Sequence, residues 1–275
     1  MTNSAIIQPL PPLMKAEMLA KKVWQAKCPI PLERLRLIKF RYYDFSEVEH
    51  NDGQITVLDA VAEHVCMIFK DLHSLRFPLS KAQPLEHYDG SDAASMADNN
   101  SSCFNFRTIT DGSLLSLHSY GVAIDINPVQ NPYLSSSEKD NTQIEILPYA
   151  GREYVNRTNL RKGMVEPIVK VFQENGFSIW GGKWNNPIDW QHFQPSRTVA
   201  EILAAMSPAD AFEFFTTYAK EPKFFNNTTA SSDSFISLYK KNPVLFLEFL
   251  RKESKLLSSD PQEGYKRLTE ISVLW

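Results

Sequence analysis

No run of eighteen apolar residues occurs in this chain, so the sequence offers no membrane-spanning helix. There is no block of lysine and arginine, and the formal net charge is −3, which argues against a broad nucleic-acid-binding surface. The first thirty residues lack the charged, apolar and small-residue segments of a secretory signal. Pro11 and Pro12 instead precede an amphipathic, lysine-bearing stretch from Leu13 to Lys27. Cysteine is scarce. Cys28, Cys66 and Cys103 show no metal-type spacing, and an odd count cannot be fully paired, so they read as buried free thiols. Neither an internal repeat nor a low-complexity tract is present.

What is there suits an ordinary globular protein. Hydrophobic residues make up 43% and charged residues 22% of 275, enough for one large domain or a domain with an appendage. Leu37 to Tyr43 is aliphatic and aromatic and predicts a strand, and Asp52-Gly53 predicts a turn after it. From Val57 to Leu72 apolar residues recur at 58, 61, 65, 68, 69 and 72, a helical stripe. The polar Asp89 to Ser102 segment reads as a loop, and Phe104 to Ile109 as a strand closed by Asp111-Gly112. Val122, Ile124 and Ile126 alternate with Ala123, Asp125 and Asn127; a strand there turns Asp125 away from the aliphatic side, toward a cleft. Val165 to Asn175 predicts a helix, with Pro167 in its first turn and Gly176 as its stop. Strands and helices interspersed without a βαβ repeat indicate α+β. After Arg197 the pattern turns helical over Glu201 to Lys220, Ser234 to Lys241 and Val244 to Leu257. Ser207-Pro208 with Asp210 forms a capped start, and Asn226 to Asp233 a loop.

The chemistry concentrates in two short segments. Ser116 to Asp125 reads Ser-Leu-His-Ser-Tyr-Gly-Val-Ala-Ile-Asp, and Asp189-Trp-Gln-His192 follows. His118, Asp125 and His192 supply two imidazoles and a carboxylate able to hold one metal. A zinc hydrolase needs three such ligands, an open position for water and a non-ligand base beside it. Asp189 is the candidate for that base. On one extended strand Asp189 and His192 would face opposite ways; a bend near Asn186-Pro187 lets them share a pocket. Gly121 allows the chain to bend between His118 and Asp125. The other histidines (His50, His64, His73 and His87) read as structural or exposed.

The pattern S-x-H-x-x-G-x-A-x-D followed by D-x-x-H-F resembles the signature of the zinc peptidases that cut peptidoglycan stem peptides. These are the D-alanyl-D-alanine carboxypeptidases and dipeptidases and the L-alanyl-D-glutamate endopeptidases, which share a fold with the Hedgehog signalling domain. Asp98 to Arg107, Ile126 to Tyr133 and Phe177 to Trp184 are also similar to the family, and the similarity runs from about Leu35 to Gln194. The resemblance implies a small antiparallel sheet with flanking helices, and a zinc ion on His118, Asp125 and His192. It further implies Asp189 as general base and Arg107 as the cation that stabilises the developing oxyanion. Ser116, Tyr120 and Trp184 are the expected substrate contacts.

On this reading, 1–34 is an N-terminal extension, 35–197 the peptidase domain and 198–275 a helical appendage, with a protein partner open for its helices and its removal leaving the chemistry intact. The partner that the resemblance implies for the site is the stem peptide, cut in the periplasm or cell wall. Without a visible signal, the chain would be exported by a route that reads none, or have lost its signal. Asp rather than Glu at the base position is more like the L-alanyl-D-glutamate endopeptidases; the D,D-carboxypeptidases are the alternative. Two other classes use the same ligand types: a zinc-containing binding module without catalysis, which the presence of Arg107 and Asp189 disfavours, and a non-haem iron oxygenase, from whose usual His-x-Asp first pair the His118-x6-Asp125 spacing departs.

Overall fold

A computed structural model describes residues 5–109, 112–137 and 140–275. Part of the expected Asp111-Gly112 turn therefore lies outside the described residues. The chain opens with strand β1 (Ile6–Pro9) and helix α1 (Pro12–Ala20), then forms β2 (Leu35–Tyr43) and β3 (Glu49–Leu58). β1, β2 and β3 make an antiparallel sheet in that order. Helix α2 (Ala62–Ser74) packs on it. The stripe Leu58, Val61, Val65, Ile68, Phe69 and Leu72 is buried throughout, as its spacing predicts. The helix starts later than expected, because Val57 and Leu58 complete β3 opposite Arg36 and Leu35. The Ile55-Thr56-Val57 run favours the pleated sheet.

Asp52-Gly53 is not the turn. Both residues lie inside β3, and the chain reverses at Phe45-Ser46, where Asp44 Oδ1 accepts from the Ser46 and Val48 amides at 2.8 and 2.9 Å. Gly53 has a packing reason instead: a Cβ there would meet the Phe40 ring at 2.8 Å, and that ring stacks on Phe69 at 3.8 Å.

Next come β4 (Lys81–Ala82), α3 (Asp92–Ala97) and β5 (Asn100–Ser101), with β4 and β5 parallel. The segment read as a loop therefore contains a helix, capped by Ser91 and carried by Ala93, Ala94 and Ala97. Phe104 to Ile109 makes one isolated antiparallel bridge, Thr108 opposite Leu115, and no longer ladder. Its earlier amides bond to unrelated neighbours, Phe104 to the Thr56 carbonyl, Asn105 to that of His118 and Phe106 to that of Val23, which fixes an extended segment without pairing its length to one strand.

The remainder of the first part is β6 (Ile124–Asp125), β7 (Tyr133–Ser137), β8 (Asp140–Leu147), α4 (Val169–Glu174), β9 (Ile179–Trp180), β10 (Ile188–Asp189) and β11 (His192–Gln194). Two small antiparallel sheets result, in the orders β6-β11-β9 and β10-β7-β8. The fold is α+β, as read from the sequence.

Six helices follow: α5 (Arg197–Ala205), α6 (Pro208–Lys220), α7 (Lys223–Asn227), α8 (Ser232–Lys241), α9 (Pro243–Ser259) and α10 (Pro261–Ser272). The expected Glu201–Lys220 helix is two helices, broken at Met206-Ser207, and Ser207 caps the second by accepting from the Asp210 amide. Their apolar faces are covered by this chain's own core: Ile202, Leu203, Phe214, Phe215, Phe235 and Phe246 are all buried there. Among the described residues no helix is long and apolar enough to cross a membrane.

Arg34 ties the two parts together. Arg34 bonds Asp59 through Nη2 at 2.8 Å and Nε at 3.2 Å, and its Nη1 donates to the Leu203 and Met206 carbonyls at 2.8 and 3.1 Å. The guanidinium thus caps the C-terminus of α5, where the helix dipole favours a cation. Both side chains are about nine-tenths buried. Arg34→Met should cost about 3–5 kcal/mol of stability, because Asp59 would stay buried without a partner. Urea unfolding monitored by circular dichroism measures this, and a loss below about 1 kcal/mol would show the fork to be ornamental to the fold.

Candidate metal centre and cavity

His118 stands on a short 3-10 turn, Leu117–Tyr120, capped by Ser116, whose Oγ accepts from the His118 amide at 3.3 Å. The turn ends at Gly121 with φ +66°, and a Cβ there would lie 2.7 Å from the Leu58 amide nitrogen. Only glycine both takes this backbone conformation without strain and lets the turn press against β3. Asp125 on β6 and His192 on β11 are direct cross-strand partners. Neighbouring side chains on one face of an antiparallel pair lie side by side, so the ladder itself brings imidazole and carboxylate together.

The three side chains are buried and converge. His192 Nδ1 lies 2.9 Å from Asp125 Oδ1, His118 Nε2 3.2 Å from Asp125 Oδ2, and the two ring nitrogens are 3.3 Å apart. All the donor atoms fall within 4.8 Å of one another. The outward ring nitrogens are occupied: His118 Nδ1 donates to the Cys103 carbonyl and His192 Nε2 to Gln194 Oε1 at 2.6 Å. Those bonds leave His118 Nε2 and His192 Nδ1 facing Asp125, the arrangement in which a second set of hydrogen bonds orients metal-binding imidazoles. Two imidazoles and one carboxylate, pre-turned toward a common point, fit a divalent metal such as zinc once the inward ring nitrogens exchange their protons for it.

Electrostatics bind the cluster together. Burial works against the charged form of Asp125, but the charges and hydrogen bonds of His118 and His192 prevail and hold its carboxyl far below the usual range. Burial likewise opposes charge on His192, yet the hydrogen bond and charge of Asp125, with Asp189 behind, push the imidazole up to about 9.

Asp189 lies on β10 opposite Tyr133, and the chain reverses at Trp190-Gln191 to enter β11. The two residues therefore sit on different strands, which removes the objection that positions three apart face opposite ways. The bend falls between them rather than before Asp189. Gly181 makes room: a Cβ there would stand 2.5 Å from the Asp189 carbonyl oxygen. Asp189 Oδ2 is 4.0 Å from His192 Nδ1, and its Oδ1 is buried without a hydrogen-bond partner. Burial pushes this carboxyl up to about 6, with the His192 charge pulling it down and the Asp125 charge pushing it up.

A cavity of about 320 Å³ opens beside these groups, lined among others by Arg107, Ser116, Asp125, Trp184, Asp189 and His192. Arg107 is held through its backbone, which exchanges hydrogen bonds with Ser116 and Ser119 of the His118 turn, and its Nη2 pairs with Asp92 at 3.0 Å. The Trp184 ring lies 5.5 Å from that of His192. Tyr120 is placed differently. It is buried in the hydrophobic core and does not line the cavity, because the 3-10 turn that aims His118 at Asp125 turns Tyr120 inward. All three cysteines are free thiols, as read, but only Cys103 is buried, beside Asp125; Cys28 and Cys66 are partly exposed. His50 pairs with Asp44 and His73 with Glu49, away from the cavity.

Residues 110–195 match a family model described as D-alanyl-D-alanine carboxypeptidase. This segment is similar to D-alanyl-D-alanine carboxypeptidases. No curated protein and no solved structure matches the chain. The carboxypeptidase-like segment holds His118, Asp125, Asp189 and His192, while Arg107 precedes it and Arg197, also on the cavity wall, follows it.

Asp92, Gln194 and Arg197 escaped the sequence reading. Ser91 before an alanine-rich run was the signal for the helix that carries Asp92, and Ser196 three residues before Val199 the signal for the start of α5. Gln194 had none. Gln194→Leu should weaken metal affinity about ten- to a hundredfold by freeing the His192 ring. Competition with a chromophoric chelator measures it; unchanged affinity would mean that Gln194 does not orient the ligand.

Proposed function

We propose that the protein is a zinc-dependent peptidase that hydrolyses a bond of the peptidoglycan stem peptide, acting in the periplasm or cell wall. The observation that carries this reading is Asp189: a buried carboxylate on the cavity wall, close to the donor set yet outside it, with one oxygen unpartnered. A binding site needs no such group; hydrolysis does. His118, Asp125 and His192 would hold the zinc, which when bound polarises the peptide carbonyl and makes water more acidic. Asp189 takes the proton from the attacking water and returns it to the leaving nitrogen as the C–N bond breaks. Arg107, anchored by Asp92, faces the negative charge that grows on the carbonyl oxygen. Trp184 walls the cavity beside His192, and Ser116 is committed to holding the His118 turn.

Aspartate at the base position supports an L-alanyl-D-glutamate endopeptidase. The family description of the matched segment supports a D,D-carboxypeptidase instead. Digesting purified muropeptides and weighing the products separates them: release of terminal D-alanine marks the carboxypeptidase, and a cut after L-alanine the endopeptidase. Intact muropeptides after incubation with the zinc-loaded protein would overturn both.

Asp189→Asn should lower the turnover number by about 10²–10⁴ with one zinc per chain retained. Arg107→Ala should lower it by about 10²–10³, also with the metal retained. Elemental analysis beside the rate assay checks both. If Asp189→Asn lost the metal while staying folded, the residue would be a ligand and not a base.

A further inference from the structure

Arg197 is the residue the proposed chemistry leaves unused. It stands at the first turn of α5, beyond the carboxypeptidase-like segment, and lines the same cavity as Asp189, Trp184 and His192. Its mount is rigid. Ser196 caps the helix, and Val199, Ala200, Ile202 and Leu203 on the next two turns are fully buried. Its guanidinium is partly engaged: Nη2 donates to the Leu115 carbonyl at 2.8 Å, and Nη1 makes a long ion pair of 3.8 Å with Oε1 of Glu201, whose other oxygen accepts from Ser232. Its side chain is 35% exposed. The other cavity arginine, Arg107, spends Nη2 on Asp92.

Charge balance gives this cation a use. The cavity wall carries three carboxylates, Asp92, Asp125 and Asp189, against two guanidinium groups, Arg107 and Arg197. A divalent cation on the donor set therefore leaves the cavity with one positive charge in excess, complementary to a ligand with one negative charge. Arg107 and Asp92 neutralise each other, and Asp125 is bound up with the two imidazoles. Arg197 is what remains to meet an anion, and a guanidinium fork matches a carboxylate in shape as well as in charge.

We propose that Arg197 is a specificity residue that binds a free α-carboxylate on the residue following the cut bond, so that the C-terminal helices supply part of the substrate site. This deepens the peptidase reading and rests on it. Both candidate substrates present that group, D-alanyl-D-alanine at its terminus and L-alanyl-D-glutamate on the glutamate Cα.

The test is equilibrium binding to the zinc-loaded full chain carrying Asp189→Asn, so that no probe is hydrolysed. The probes are acetyl-D-alanyl-D-alanine against its carboxamide, and acetyl-L-alanyl-D-glutamate against its α-amide. In at least one pair the acid should bind about 10–100-fold more tightly than the amide. Adding Arg197→Gln should lower that ratio by about tenfold, because the fork is lost although the cavity stays positive, and Arg197→Lys should restore part of it. A role limited to holding Leu115 would weaken acid and amide alike and leave the ratio unmoved. An unchanged acid-to-amide ratio in a folded, zinc-bearing Arg197→Gln chain overturns the proposal while the peptidase reading stands. Failure of all four probes to bind overturns that reading, and this one with it. Which pair shows the preference identifies the source of the carboxylate.

Discussion

His192 and Asp125 face each other across the β6–β11 ladder, and the site is arranged around that one pairing. A two-residue strand against a three-residue strand is a weak element by itself. Here it is braced on the far side by β9, and Phe193 stacks between Trp180 and Phe172. Slipping the register by one residue would send His192 to the other face, so the buried Phe193 fixes the donor geometry as firmly as the donors do. His118 reaches the pair from a turn locked to β3 by Gly121, and Asp189 reaches it from the strand just before β11. Three separate backbone constraints thus meet at one carboxylate.

Burial gives the cluster its strength and its risk. Asp125, His118 and His192 are out of water, where attraction between opposite charges is strong and an unpaired charge is costly. Every polar atom of the trio has a partner, inward toward Asp125 or outward toward Cys103 and Gln194. Around it the cavity wall holds three buried polar atoms without a partner, Asp189 Oδ1, Arg107 Nε and Gln191 Oε1. Unmatched buried polar atoms mark the place where the site still has work to do.

The convergence of His118, Asp125 and His192 was legible from residue types and spacing, since the motif carries both histidines and both aspartates within two short segments. The stripe of α2 and the caps at Ser207 and Gly176 were equally plain, being local periodicity and local chemistry. Legibility failed where tertiary packing decided. Asp52-Gly53 has the composition of a turn, but the glycine serves the Phe40 ring. Phe104 to Ile109 alternates like a strand, but beyond the single Thr108–Leu115 bridge its amides are shared among unrelated neighbours. Tyr120 sits two residues from His118 and still belongs to the core, because a 3-10 turn sends successive side chains in divergent directions. Arg197 was the hardest to see, for its place depends on the way α5 docks, through Arg34 and Asp59, onto elements more than a hundred residues earlier.

The claim most open to direct test is the choice of ring nitrogens. Hydrogen bonds to the Cys103 carbonyl and to Gln194 leave Nε2 of His118 but Nδ1 of His192 turned toward Asp125. Anomalous diffraction at the zinc edge from zinc-loaded crystals locates the metal without reference to the protein density. The account predicts one strong peak about 2.0–2.1 Å from each of those two nitrogens and about 2.0–2.2 Å from an Asp125 oxygen. A peak bonded to His192 through Nε2, or a peak lying away from these three side chains, would contradict it.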